Sequence, residues 1–274
     1  MAETIEHEIS SPQGELKRKT PIVIQSGMYQ DVRALAPLAE ALSQHGFKVH
    51  RVGLPGHGGS TCDKGELRYY NLEDYVGPLA HRISRTRPRP IVVTQDVGAL
   101  TLLKILEDRK ERAYEVVGEV PAAVFLSPLP PRGFEGMLKR LKQRHPIDAR
   151  MALAKQDPNR WIRTPKLARE LFVGPNCALS DAELFELVQP ESWQVIEKLK
   201  AGIELLPLGQ ELPLQVHFGD HGACFAPEAM GELTQQLGGE AVVHPGAGHW
   251  LAQEPCLPQV AERIAAFADS LELP

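Results

Sequence analysis

Three short settings in this chain combine residue types and spacing that could do chemistry. In Thr94-Gln95-Asp96-Val97-Gly98-Ala99, small residues flank a turn between the apolar run 90–95 (PIVVTQ) and an amphipathic stretch. Such a turn lifts its middle side chain, Asp96, above the end of a strand. A carboxylate held there could attack carbon or move a proton. In Gly246-Ala247-Gly248-His249-Trp250, glycines permit a tight loop after the last β-rich run, and that loop can aim the His249 imidazole back at the same place. In Ser26-Gly27-Met28, after the first apolar run, the amide of Met28 could join that of Val97 in receiving developing negative charge. Met28, Tyr29 and Trp250 are candidates to line the substrate space, or to be packing.

The elements that would position these residues follow from hydrophobic periodicity. Residues 21–25 (PIVIQ), 47–54, 90–95, 122–127 (AAVFLS), 213–218 (PLQVHF) and 241–244 read as buried strands. Between them, residues 32–44 (Asp31 as N-cap, Gly46 as stop), 72–85, 97–109, 227–237 and 258–271 read as helices. This alternation predicts βαβ crossovers and a mostly parallel sheet covered on both faces. All three settings then fall at the C-terminal ends of strands, where open α/β sheets hold ligands. From 131 to 208 no strand is evident and short helical pieces are separated by Pro and Gly. The expected organisation is a sheet core from 1–130 and 209–274, with a helical insertion at 131–208.

Composition bounds the reading further. With 274 residues, 43% hydrophobic and 24% charged, the chain is an ordinary globular protein, large enough to bury its core without staples. Cys62, Cys177, Cys224 and Cys256 form no CxxC pair, which suggests buried thiols in a reducing compartment and no zinc site. The acidic start MAETIEHEIS is not a signal peptide, and no apolar stretch is long enough for a membrane span, so a cytoplasmic location is expected. The net charge of −5 conceals a contrast: between Arg132 and Arg169, eleven Lys/Arg face three Asp/Glu, a local +8 inside the insertion. That segment is either a solvated helical face or an attractor for an anionic substrate or acidic carrier. It has no interleaved aromatics, and the chain as a whole is acidic, so nucleic acid is not an expected partner.

Together, Asp96 at its turn, Gly248-His249 and the loop LPGHGGS (residues 54–60) resemble the α/β-hydrolase fold over nearly the whole chain. The resemblance implies an eight-strand-type sheet with the insertion at 131–208 as a helical cap. Its usual elbow is G-x-S-x-G; an Asp there resembles the haloalkane dehalogenase and epoxide hydrolase branch, where a carboxylate attacks carbon and a His-activated water hydrolyses the ester. The branch's accessory groups are missing: Val97 stands where dehalogenases carry Trp, and the insertion has no tyrosine. The position three residues after Gly219, where the family places its acid, is Gly222, which leaves Asp220 as the nearest substitute or as a strand-end turn residue. Ser26 stands where the family has the His of its His-Gly.

These readings favour a cofactor-free, metal-free hydrolase-like enzyme, monomer or homodimer. It would act with Asp96 and His249 on a small organic molecule, neutral, anionic or carrier-bound. A non-catalytic receptor of the same fold, or a lyase, isomerase or cyclase using the same pair, stays open. A serine esterase is disfavoured because no Ser occupies the elbow. His57 and Ser60 read as loop architecture, His217 and His244 as structural, and Trp161 and Trp193 as core.

Overall fold

The computed structural model describes residues 4–13, 16–107, 120–131, 134–222, 224, 226–271 and 273. Among them, seven strands form one sheet: β1 (His7–Ser10), β2 (Ile22–Gln25), β3 (Val49–Val52), β4 (Ile91–Gln95), β5 (Ala123–Leu126), β6 (Leu214–Gly219) and β7 (Glu240–His244). Their order is β1-β3-β2-β4-β5-β6-β7, with β1 antiparallel to β3 and every other pairing parallel. This is the α/β-hydrolase fold with seven strands described, one fewer than the expected eight-strand type. The edge strand β1 was not foreseen because it carries no apolar run; its Ile9 is 49% exposed.

The helices are α1 (Ala36–Gln44), α2 (Leu72–Arg85), α3 (Gly98–Leu106), α4 (Phe134–Arg144), α5 (Pro146–Lys155), α6 (Pro165–Phe172), α7 (Asp181–Glu186), α8 (Trp193–Ala201), α9 (Pro227–Gln236) and α10 (Leu257–Ser270). The helix expected over 32–44 begins as a 3₁₀ turn, Val32–Leu35, with Asp31 accepting from the Arg33 amide, and continues as α1. Pro37 explains the break: it lacks the N–H that would bond back to Arg33, so the regular helix begins beside it. The end of the helix expected over 97–109 lies outside the described residues.

Alternation along the strands divides the core. Val23 and Val92 face one side, packed with residues of α2, α3 and α8. Ile22, Ile24, Ile91 and Val93 face the other, against α1 and α10. Two-sided burial is why these strands read as continuous apolar runs. Among the described residues between β5 and β6 lie α4 to α8 and a 3₁₀ turn, Pro158–Ile162; side chains of α4 and of that turn pack over the strand ends beside Asp96. Among the described residues no helix is long and apolar enough to cross a membrane.

Candidate functional site

Asp96 sits between β4 and α3 with φ +55°, in the left-handed region that most side chains avoid. Its amide donates to the Leu126 carbonyl (3.0 Å) and its carbonyl accepts from the Leu129 amide (3.2 Å), so the turn is held by the neighbouring strand. Small neighbours make room for it. A Cβ on Gly27 would come within 2.7 Å of the Asp96 Cβ, and one on Gly98 within 2.9 Å of the Thr94 Cβ. Gly98 thus explains how Thr94 is tolerated at the first position of the elbow.

The Asp96 side chain is buried, and its Oδ2 lies 3.2 Å from His249 Nε2. Its Oδ1 has no hydrogen-bond partner among the described residues. Burial raises the proton affinity of this carboxyl above the ordinary value; the His249 ring and the Val97 amide pull it down, and the charge of Glu191 pushes it up.

His249 is held through its backbone on both sides. The Gln95 side-chain amide donates to its carbonyl at 3.1 Å. Gly248, just before it, donates its N–H to Glu254 Oε1 at 2.9 Å, and Trp250, just after it, donates to the Phe172 carbonyl at 2.7 Å. Gly246 adopts φ +74°, as the tight loop requires. Asp220, the substitute acid suggested by spacing, is exposed, and its Oδ1 accepts from the Gly246 amide at 2.6 Å. It braces the backbone of the loop that carries His249.

Asp96 and His249 border an enclosed, largely apolar cavity of about 20 Å³. That volume holds about one water molecule. Met28, Tyr29 and Leu129 line it from the strand ends, and Phe134, Met137 and Trp161 from the helical stretch. Tyr29 donates its hydroxyl to the Pro158 carbonyl at 3.3 Å; burial, with the charges of Glu191 and Asp96, raises its pKa well above the ordinary value and keeps it neutral. Trp161, expected to be core, also reaches this cavity. Trp250 does not: its ring stacks on Phe172 at 4.3 Å, behind the wall. Ser26 is buried with its hydroxyl toward the Val52 carbonyl, and Gly27 forms the seat for the elbow. Val97 is fully buried at the start of α3.

Sequence reasoning missed several residues that belong to this neighbourhood. Cys224 lines the cavity, with burial raising its thiol pKa far above the usual range. Glu191 and His57 are both wholly buried and face each other at 3.4 Å. Glu254 accepts two backbone amides beside His249. The available signal for Glu254 was its place five residues after His249; nothing local marked Glu191. Among the described residues no group of three or more His, Cys, Asp or Glu side chains is arranged to hold a metal ion.

Residues 25–263 match the Alpha/beta hydrolase family. No curated protein matches the chain. Among solved structures, a bromoperoxidase from Bacillus anthracis superposes with a TM-score of 0.70 at 13% identity, covering 97% of this chain and 96% of that one. A monoacylglycerol lipase from Paleococcus ferrophilus gives 0.64 at 16% identity, covering 98% and 100%. An enol-lactonase from Burkholderia xenovorans LB400 gives 0.60 at 17% identity, covering 97% of each chain. At these identities the likeness concerns the fold.

Proposed function

The chain belongs to the alpha/beta hydrolase family, and on that footing we propose a hydrolase-like enzyme in which Asp96 and His249 act on a small organic substrate between sheet and helical cap. The observation that carries this reading is the setting of the Asp96 carboxylate: it lines the enclosed cavity, its Oδ2 lies 3.2 Å from His249 Nε2, and its buried Oδ1 makes no hydrogen bond of good geometry among the described residues. A buried carboxylate oxygen left unpaired is costly, and it is also poised to react.

In the reaction, Asp96 Oδ1 forms a bond to an electrophilic carbon of the substrate, and the leaving group departs with its electron pair. Esterification removes the negative charge that held His249 Nε2. The freed nitrogen then takes a proton from a water whose oxygen attacks the Asp96 carbonyl carbon, and the amides of Val97 and Met28 receive the charge that develops on oxygen. Collapse breaks the ester and the product oxygen takes the proton held by His249; the water's second proton, left on the Asp96 carboxyl, is released to solvent alongside the leaving group, and the Asp96 carboxylate returns. Asp220 serves this scheme as a brace of the loop. The raised proton affinity of Asp96 supports a second role in the same site, general acid–base chemistry without a covalent step. The excess of Lys and Arg in the segment from Arg132 to Arg169, eleven against three Asp/Glu, favours neutral or anionic substrates.

The test uses wild type, Asp96→Asn and His249→Gln with a panel of small alkyl halides, epoxides, lactones and aryl esters. Asp96→Asn should abolish turnover of any substrate found. His249→Gln should accumulate an adduct on the peptide containing Asp96, seen by mass spectrometry. Turnover without an adduct in His249→Gln would leave the acid–base role. Undiminished turnover by Asp96→Asn would remove the pair from the mechanism.

A further inference from the structure

We propose that Glu254 is a positioning residue that couples the seating of the cap to the placement of His249. This rests on the Asp96/His249 reading above. Glu254 is 4% exposed, and a single carboxylate oxygen, Oε1, accepts the amides of Gly174 (2.5 Å) and Gly248 (2.9 Å). Gly174 follows α6, in the cap; Gly248 immediately precedes His249. The two backbones touch. A Cβ on Gly174 would lie 2.2 Å from the Gly246 carbonyl oxygen, and one on Gly248 would lie 2.4 Å from the Val173 carbonyl carbon. On the other side of His249, Trp250 donates to the Phe172 carbonyl and stacks on its ring with the planes 8° apart. The chain leaving α6 is therefore fastened to the residues on both sides of His249, and Glu254 is the charged member of that clamp.

The clamp matters because the cavity holds only about one water. A substrate must enlarge it, and part of its wall, Leu171 and Phe172, is the end of α6. Displacing that wall pulls on the amide of Gly248 through Glu254 and on Trp250 through Phe172. The His249 ring then meets Asp96 only when the cap is seated. A buried carboxylate is tolerated where it collects backbone donors, and the second oxygen of Glu254 has none among the described residues, so the arrangement carries a cost that packing alone does not require.

The experiment reads the His249 ring directly by long-range ¹⁵N–¹H correlation, with the signal assigned by its loss in His249→Gln. Glu254→Ala should move this signal toward its position in Asp96→Asn, and Glu254→Gln, which keeps one acceptor oxygen for both amides, should restore it. Phe172→Leu, which weakens the clamp from the cap side, should move it in the same direction, and this variant answers the question if Glu254→Ala fails to fold. In turnover, Glu254→Ala should lower kcat by about 10²-fold with little change in KM, in keeping with a misplaced base. Wild-type His249 signals in Glu254→Ala and Phe172→Leu, with only a lowered melting temperature, would overturn the proposal. A signal unmoved in Asp96→Asn would be a separate failure, that of the Asp96/His249 pair itself.

Discussion

Glu191 Oε2 stands 3.4 Å from His57 Nε2, and neither side chain reaches solvent. The contact joins the loop after β3 to the segment leading into α8, and Glu191 Oε1 also accepts from the Tyr75 hydroxyl (2.5 Å) and the Ser192 amide (2.6 Å). Burial opposes a charge on His57, but the charge and hydrogen bond of Glu191, with the Pro55 carbonyl, outweigh it, so the folded pKa lies above the ordinary value of 6.5. A raised histidine pKa contributes stability that is complete below 6.5 and lost as pH rises through the folded value. Glu191→Gln should therefore destabilise the protein by about 3–5 kcal/mol, the cost of breaking a buried pair, with the largest gap from wild type on the acid side. Thermal melts at pH 6 and pH 8.5 measure it; a gap that widens with pH would refute the pairing.

The sheet carries histidines of the opposite sign. His217 Nε2 donates to Gln215 Oε1 at 3.1 Å, so its Nδ1 must accept from His244 Nε2, also at 3.1 Å. Burial, then the charges of His244 and Arg263, push His217 down to about 3. A depressed histidine pKa gives stability that is present above 6.5 and lost as pH falls from there toward the folded value. His217→Gln keeps a donor and an acceptor but takes up no proton. Its stability should fall less steeply between pH 6.5 and 4 than that of wild type, by up to about 1.4 kcal/mol per pH unit. Parallel acid-limb slopes in urea titrations would count against this account.

The sheet and the loops that carry Asp96 and His249 were legible in sequence for a shared physical reason. Strands buried on both faces must be continuous apolar runs, such as Ile22–Gln25 and Ile91–Gln95, and a side chain lifted at a strand end needs glycine or another small residue around it. That rule put Asp96 and His249 at the strand ends, where their side chains meet. Glu254, Glu191 and His57 obey no such local rule: a polar residue in a polar stretch reads as surface, and only tertiary closure brings Gly174 to Glu254 or His57 to Glu191. Asp220 is the position where spacing left two readings, substitute acid or strand-end turn residue. Its exposed carboxylate accepts the Gly246 amide, the contact expected of a turn residue.

Gly27 allows a direct test of how tightly the elbow is set. An alanine methyl would sit 2.7 Å from the Asp96 Cβ and 3.0 Å from the Gln95 Cγ, closer than carbon atoms approach. Overpacking of this kind costs about 1–3 kcal/mol. The elbow can relieve it only by moving Asp96 away from β2. Gly27→Ala should stay folded yet lose about 10²-fold in kcat, since a shift approaching 1 Å in a reacting group has that effect. Near wild-type turnover with the same loss of stability would mean that the elbow yields elsewhere and that its placement is less critical than its packing suggests.

Met137 tests the enclosed cavity from the side of α4. It lines the same cavity as Asp96, from α4, and is 7% exposed. Truncation to alanine removes buried methylenes, at a cost of about 2–5 kcal/mol where the site cannot collapse, and enlarges the space now sized for about one water. If substrates enter by displacing α4, the wild-type protein must do work against this packing each time, and Met137→Ala has already done it. The variant should therefore show lower KM values for the larger members of a homologous substrate series while its melting temperature falls. A uniform loss across the series, with no change in size preference, would place the substrate's path away from α4.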